Sequence, residues 1–381
     1  MMTILQIIPS LGAGGAEQAC VDVVAGLKAV GCRALVISSG GSRLEEITEA
    51  GGEHIQRDAH SKNPIRIVRN AFWLADFMRR EKVGVVHARS RAPAWSAYWA
   101  SKMAGVPFVT TNHAAYKFNS NTKKFYNSVM VKADRVIAIS DFIAKHIKEH
   151  YGVGLERVRV IPRGIDLDKF VPEKVTVERQ AALRRQWGVG SQRLVLVPSR
   201  LSPIKGQSVA IEAMALLPQE LNDVTVVILG DDQGRAKYRQ VLANLITERK
   251  LKDRVKLVAH CNDMPAAYSN AALVVAPSLV PEGFGRVPVE AMAMGVPVIA
   301  TELGGFVETI TPGANGWLVP PNDPQALATA IVKALTQKPE EYEAGKQVAM
   351  RYVRERYTKE KMVADTLAVY SELVRSKMPT I

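Results

Sequence analysis

Cysteine is scarce in this chain. Its three cysteines, Cys20, Cys32 and Cys261, are scattered and odd in number, which argues against a disulfide framework and fits a reducing compartment. No apolar run approaches the roughly 20 residues that span a bilayer. Residues 1–10 are apolar but carry no basic segment, and they lead into a glycine turn; that pattern reads as a buried first strand and not a signal peptide. Metal-ligand spacing is also missing. Asp166-Leu167-Asp168 matches Asp-x-Asp only by letter, Asp231-Asp232 lacks a third oxygen ligand, and His260-Cys261 has no second ligand pair. Short repeats and low-complexity segments are absent.

Positive charge is what the chain has in excess. The net charge is +13, and residues 1–170 hold 24 Lys/Arg against 15 Asp/Glu. A basic first half implies an anionic partner. No nucleic-acid signature accompanies the charge, so an anionic membrane surface is the partner expected. Residues 64–82 interleave Ile65, Ile67, Phe72, Trp73, Phe77 and Met78 with Arg66, Arg69, Arg79, Arg80 and Lys82. A basic amphipathic helix of this kind can lie on lipid headgroups, or it can pack its apolar side on a sheet. The localisation expected is cytoplasmic, peripheral on the inner face of the cell membrane.

At 381 residues the chain exceeds the size at which one core keeps growing, so two domains are expected. Strand and helix patterns alternate, the signature of α/β layers with parallel sheets. First-half strands are expected near residues 4–8, 34–38, 83–87, 108–111, 136–139 and 158–161. Those of the second half fall near 194–198, 225–229, 255–257, 273–276, 298–300 and 316–319. Residues 162–172 break the pattern ahead of a polar helix. The domains are therefore drawn at 1–170 and 191–357, with a hinge and linker at 171–190 and a last helix at about 358–381.

The chemistry concentrates in the second half. Residues 282–290 read E-G-F-G-R-V-P-V-E, two carboxylates around a glycine-rich turn after an apolar strand. Gly283 and Gly285 permit close approach of main-chain N–H groups to a ligand. Glu282 and Glu290 suit hydroxyl-rich ligands, because one carboxylate can accept from two neighbouring hydroxyls. A second segment supplies the opposite charge: Arg200 and Lys205 follow another apolar strand, and Gly206 opens a helix. Cations for a diphosphate and acids for sugar hydroxyls together describe a nucleotide-sugar site. A dinucleotide fingerprint is the rival reading of the Gly12–Glu17 turn, but Glu17 stands where the third glycine belongs and would repel a pyrophosphate.

With Gly14-Gly15-Ala16-Glu17, Ala138-Ile139-Ser140, Ile161-Pro162-Arg163-Gly164-Ile165-Asp166, Gly230-Asp231-Asp232 and the two segments above, the chain resembles the retaining nucleotide-sugar glycosyltransferases of family 4 with the GT-B fold. The resemblance covers nearly the whole chain; Arg163 departs from it, where Asn is commoner. It implies two Rossmann-like domains facing a central cleft, with the last helix crossing back to the first domain. Arg200 and Lys205 would stabilise the leaving diphosphate, Glu290 would take the ribose hydroxyls, and Glu282 and His113 would approach the transferred hexose. Main-chain N–H groups of Gly283, Phe284, Gly285 and Arg286 would bind the donor, with His260 and Cys261 beside its base. Gly14, Gly15, Glu17 and His87 would face the acceptor, and residues 116–124, with Lys117, Lys123, Lys124 and Phe118, form a basic loop suited to a phosphorylated or lipid-linked one.

No metal or other cofactor is required in that scheme, since Arg and Lys do the charge work of Mg²⁺. The donor would be a UDP-, GDP- or ADP-hexose. Asn112-His113-Ala114-Ala115-Tyr116 and the 126–130 and 161–165 stretches resemble bacterial lipopolysaccharide-core transferases, so a lipopolysaccharide-core or other surface-glycan acceptor is expected. Three alternatives stand beside it: a nucleotide-sugar epimerase, a soluble-sugar synthase, and a non-catalytic basic membrane or nucleic-acid binder.

Overall fold

The structure, a computed structural model, describes residues 1–12, 14–116 and 118–375. The chain divides into two compact units, Met1–Gly164 with Lys359–Ile381, and Ile165–Thr358. The first holds seven strands: β1 (Thr3–Ile7), β2 (Arg33–Ser38), β3 (Glu53–Gln56), β4 (Val83–Ala88), β5 (Phe108–Asn112), β6 (Arg135–Ala138) and β7 (Val158–Val160). All pair in parallel, in the order β3-β2-β1-β4-β5-β6-β7. The second unit holds β8 (Arg193–Pro198), β9 (Val224–Leu229), β10 (Val255–Val258), β11 (Ala271–Ala276), β12 (Val298–Thr301) and β13 (Trp317–Val319). These are also parallel, in the order β10-β9-β8-β11-β12-β13. Each unit is a Rossmann-like α/β layer structure.

The central strands are runs of Val, Ile and Leu because helices cover both faces of a parallel sheet. Strand β1 is buried throughout. Its Ile4 packs in one core with Val24 and Leu27 of helix Gly15–Ala29 and Tyr370 and Leu373 of helix Lys359–Arg375. Each such aliphatic side chain, fully buried, is worth about 1.5–3 kcal/mol. Twelve strands stand where the hydrophobic pattern places them. The thirteenth, β3, reads Glu-His-Ile-Gln and lies at the sheet edge, where half-exposed polar residues carry no apolar signal.

Helix Lys359–Arg375 is anchored in the first unit by more than packing. The Glu372 carboxylate meets Arg135 at 2.5 Å and Arg159 at 2.8 Å, and Tyr370 reaches His87 at 2.6 Å. Residues 376–381, the end of the expected last helix, lie outside the described residues. In the second unit the chain entering at Ile165 hydrogen-bonds the segment leaving, Ile165 N–H to the Tyr357 carbonyl at 2.9 Å. The stretch 171–190 belongs to this unit. Its helix Val177–Trp187 is fixed by Arg179, which grips Asp263 at 2.7 and 2.8 Å, and by Arg184 Nε on Asn270 at 2.9 Å.

Candidate functional site

In the second unit the strand order reverses between β8 and β11, which are neighbours in the sheet. Ligands of open α/β sheets bind at the carboxyl ends of the strands where the order reverses. The two chemistry-bearing segments of the sequence leave these two strands. After β8, the turn Pro203–Lys205 ends at Gly206, whose φ of 69° is left-handed. A Cβ at Gly206 would strike the carbonyl of Pro277 in the loop after β11. Glycine thus lets the two loops touch, and the Leu279 N–H donates to the Ile204 carbonyl at 2.8 Å.

That contact brings Lys205 to Glu282. The Lys205 ammonium donates to Glu282 Oε1 at 2.5 Å, and Ser278 Oγ donates to the same oxygen at 2.7 Å. Glu282 Oε2 has no hydrogen bond among the described residues, so the carboxylate keeps acceptor capacity. Arg200 is exposed and its guanidinium has no partner among the described residues. Its carbonyl is held instead, by the buried Gln207 amide at 2.9 Å. Two tethers therefore fix the backbone that carries the cations.

Gly285, at φ 86°, begins helix Arg286–Ala293. A Cβ there would collide with the Phe306 ring. Phe284 points its ring into the core against Tyr357, centroids 5.3 Å apart, so only its main chain is available to a ligand. Glu290 is 8% exposed. Its Oε2 accepts from the Tyr268 hydroxyl at 2.9 Å, and its Oε1 pairs with Arg286 at 2.8 Å. Burial, and then the Glu290 charge, push the Tyr268 hydroxyl well above its usual pKa. Tyr268 thus acts as a donor that holds the carboxylate in place. The expected role of Arg286 was its main-chain N–H; its guanidinium proves to be a fixed partner of Glu290.

The sequence reading missed Tyr268, Ser278, Gln207 and Gly304. Gly304 (φ 56°) sits against the Glu282 main chain, and the Gly305 N–H donates to the Glu282 carbonyl at 2.8 Å. The Gly304-Gly305 pair three residues after the end of β12 was a signal that could have been used. His260 is exposed just beyond β10, while Cys261 is buried and its thiol pKa raised by that burial.

In the first unit the order reverses between β1 and β4. After β1, Gly14 caps helix Gly15–Ala29, and the Glu17 carboxylate folds back onto the space a Gly14 Cβ would fill. His87, expected on the acceptor side, is corrected by the structure. It has no exposed surface, and its nitrogens are taken by the Tyr370 hydroxyl at 2.6 Å and Thr111 Oγ1 at 2.7 Å. A strand-end histidine in this position ties the C-terminal helix to the sheet.

His113 is different. Its Nδ1 lies 2.6 Å from an Arg163 guanidinium nitrogen. Arginine only donates, so Nδ1 accepts and the ring proton sits on Nε2. Burial first, then the Arg163 and Arg89 charges, hold the imidazole well below its usual pKa, against a smaller opposing effect of the Arg89 main chain. Its Nε2 is buried without a partner of hydrogen-bonding geometry. Of the basic loop, Lys117 lies outside the described residues. Phe118 packs on His150 and Tyr151, with the Lys124 ammonium 5.4 Å from its ring.

Helix Pro64–Arg80 packs part of its apolar surface and leaves part exposed. Asn63 caps it, Leu74, Phe77 and Met78 are buried, and Ile65, Val68 and Phe72 are 79%, 52% and 65% exposed. No helix of the described residues is long and apolar enough to cross a membrane. Among them no three His, Cys, Asp or Glu side chains converge on a metal-sized site.

Known proteins share this architecture. Residues 13–169 match the family described as Glycosyltransferase Family 4, and residues 179–350 match Glycosyl transferases group 1. The D-inositol 3-phosphate glycosyltransferase of Jonesia denitrificans is 31% identical over 314 residues, 74% of this chain and 73% of the relative. A glycosyltransferase structure from Rickettsia africae ESF-5 superposes with a TM-score of 0.90 at 32% identity, covering 99% of each chain. Anabaena Alr3699/HepE, solved with UDP and glucose, gives 0.83 at 27% identity over 97% of this chain and 100% of that one. The chain belongs to the family 4 glycosyltransferases of the GT-B fold.

Proposed function

We propose that the protein is a retaining, metal-independent hexosyltransferase. It takes a nucleotide diphosphate hexose as donor and extends a surface glycan, such as a lipopolysaccharide core, at the inner face of the cell membrane. The Lys205–Glu282 contact at the β8/β11 reversal carries the donor part of this reading. The Lys205 cation and the Glu282 acid, offered by separate segments, meet there at 2.5 Å. Binding of UDP and glucose by the Anabaena relative supports it.

Roles follow from the chemistry of each side chain. Negative charge grows on the diphosphate as the glycosidic bond to it breaks, and Arg200 and Lys205 offset that charge as a divalent ion would. Glu290, oriented by Tyr268 and Arg286, accepts the ribose hydroxyls, and Glu282 accepts from the hexose. The neutral His113, with its proton on Nε2, donates to a sugar oxygen. Phosphate oxygen of the departing group takes the proton of the attacking hydroxyl on the same face of the sugar, which gives retention. His260 and Cys261 stand beside the base. The exposed Ile65, Val68 and Phe72, flanked by Arg66 and Arg69, support contact with an anionic lipid surface. Curated relatives named D-inositol 3-phosphate glycosyltransferase favour an acceptor that itself carries phosphate.

The deciding experiment incubates the protein with UDP-, GDP- and ADP-hexoses in EDTA without acceptor and follows the sugar by proton NMR. Slow release of free hexose with its anomeric configuration retained supports the proposal. Interconversion of the donor into its epimer identifies an epimerase, and no reaction with any donor identifies a binder.

A further inference from the structure

Arg163, where the resemblance leads to Asn, lies just past β7 in the first unit. It is 7% exposed, too deep to serve as a surface cation for lipid. Its backbone is held on both sides within that unit. The Ile161 N–H donates to the Ala138 carbonyl at 2.9 Å, and the Gly164 N–H meets Met362 Sδ of helix Lys359–Arg375 at 3.4 Å. Pro162 between them has a fixed φ. The side chain so placed reaches the end of β5, where its guanidinium lies 2.6 Å from His113 Nδ1.

Arg does something there that Asn would not. A neutral imidazole has one donor and one acceptor nitrogen, and the partner of one nitrogen decides the role of the other. An Asn amide offers both a carbonyl oxygen and an NH₂ group, so it suits a bare Nδ1, an Nδ1–H or the imidazolium. A guanidinium only donates and keeps its charge. It is compatible with one ring state of the three: Nδ1 bare, with the proton on Nε2. Nothing else that faces the ring opposes this. Arg89 and His87 approach from β4 and its end, and the Tyr116 hydroxyl meets the His113 main chain. Among the described residues no carboxylate stands with them to favour the imidazolium. Burial and the two guanidinium charges accordingly hold the His113 pKa well below its usual value.

We infer that Arg163 is a positioning residue, which fixes the His113 tautomer and keeps the ring uncharged while the sugar is transferred. The inference rests on the reading of His113 as a donor to the transferred hexose. Positive charge develops on a sugar ring as its glycosidic bond breaks, so an imidazolium beside it would raise the barrier. The Nδ1–H tautomer would instead present a bare Nε2 to the sugar oxygen and lose the hydrogen bond. Arg163 excludes both states from the other ring nitrogen, without touching substrate.

The test compares the full chain as wild type, Arg163→Asn and Arg163→Lys, with matching thermal midpoints to show that the variants fold. Nitrogen NMR of isotopically labelled histidine distinguishes protonated from bare ring nitrogens, and His113→Gln identifies the His113 signals. From pH 8 to pH 5 the wild type should keep Nε2 protonated and Nδ1 bare. Arg163→Asn should mix the tautomers and take up a second proton near the ordinary pKa of about 6.5. In hydrolysis of UDP-, GDP- and ADP-hexoses, Arg163→Asn should lose kcat by on the order of 10-fold or more with little change in donor KM. Its log kcat should also fall by about one per pH unit below the new pKa, a limb the wild type lacks. Arg163→Lys, still a charged donor, should recover most of both. A wild-type ring that protonates near pH 6.5 or carries its proton on Nδ1 overturns the inference, as does an Arg163→Asn protein with the wild-type tautomer and pH profile. The nitrogen signals need no substrate. If they behave as stated while the wild type turns over no donor, the transferase reading fails and control of His113 by Arg163 stands.

Discussion

The Lys205 ammonium lies 2.5 Å from Glu282 Oε1, joining loops that leave adjacent strands and are 77 residues apart in sequence. Both side chains are about one-fifth exposed, 21% and 22%. In the proposed donor site the pair would set a cation beside the leaving diphosphate, with an acid whose second oxygen has no hydrogen bond among the described residues. Lys205→Ala should reduce kcat by about 10²–10³, the usual effect of losing one preorganised charge. Glu282→Gln keeps the shape and should reduce kcat with less change in donor KM. Steady-state kinetics of donor hydrolysis separate the two; equal rates for wild type and Lys205→Ala would remove Lys205 from the chemistry.

Tyr268 and Glu290 are coupled by a buried hydrogen bond of 2.9 Å. Tyr268→Phe leaves a buried carboxylate oxygen short of a donor, at about 1–3 kcal/mol. Urea unfolding should show that loss. Donor KM should rise further in Glu290→Gln than in Tyr268→Phe, because only the former alters the group proposed to take the ribose hydroxyls.

How much of this was legible in the residues depends on how each signal is carried. The strand runs and the two charged segments announced themselves locally, through apolar periodicity and glycine spacing. Direct contact of Lys205 with Glu282 did not, since it follows from the reversal between β8 and β11 and from the left-handed Gly206. Tyr268 looked like ordinary core until the fold placed its hydroxyl on Glu290. His87 misled for the opposite reason: its strand-end position suggested a ligand, while its partner Tyr370 lies 283 residues away. Strand β3 escaped because an edge strand needs little apolar character.

His87 also sets a pH dependence. Burial first, then the Arg89 and Arg163 charges, hold its pKa well below the ordinary value. The unfolded chain takes up a proton below about pH 6.5 while the folded chain does not. Stability from neutral His87 is therefore complete above that pH and declines as pH falls toward the folded pKa, by up to about 1.4 kcal/mol per pH unit. His113, also depressed, adds a contribution of the same sign. Denaturant titrations from pH 7 to pH 5 should show the decline, and His87→Gln should flatten part of it.

The exposed stripe of helix Pro64–Arg80 makes a separate claim. Phe72→Asp should weaken binding to anionic vesicles by about 10-fold or more, from the apolar burial lost. Binding by the wild type should also weaken as salt shortens the Debye length to about 10 Å at 0.1 M and below beyond it. Vesicle co-sedimentation reads both. Undiminished binding by the variant would take membrane contact away from this helix.

One measurement bears most directly on the donor site: thermal shift of the full chain with UDP-, GDP- and ADP-hexoses in EDTA, on the wild type, Arg200→Ala and Glu290→Gln. One base class should stand out, adding about 2.7 kcal/mol at a ligand concentration 100 times the Kd, and both variants should lose most of that shift. A flat wild-type response, or one that both variants retain in full, would contradict a nucleotide-sugar site built from these residues.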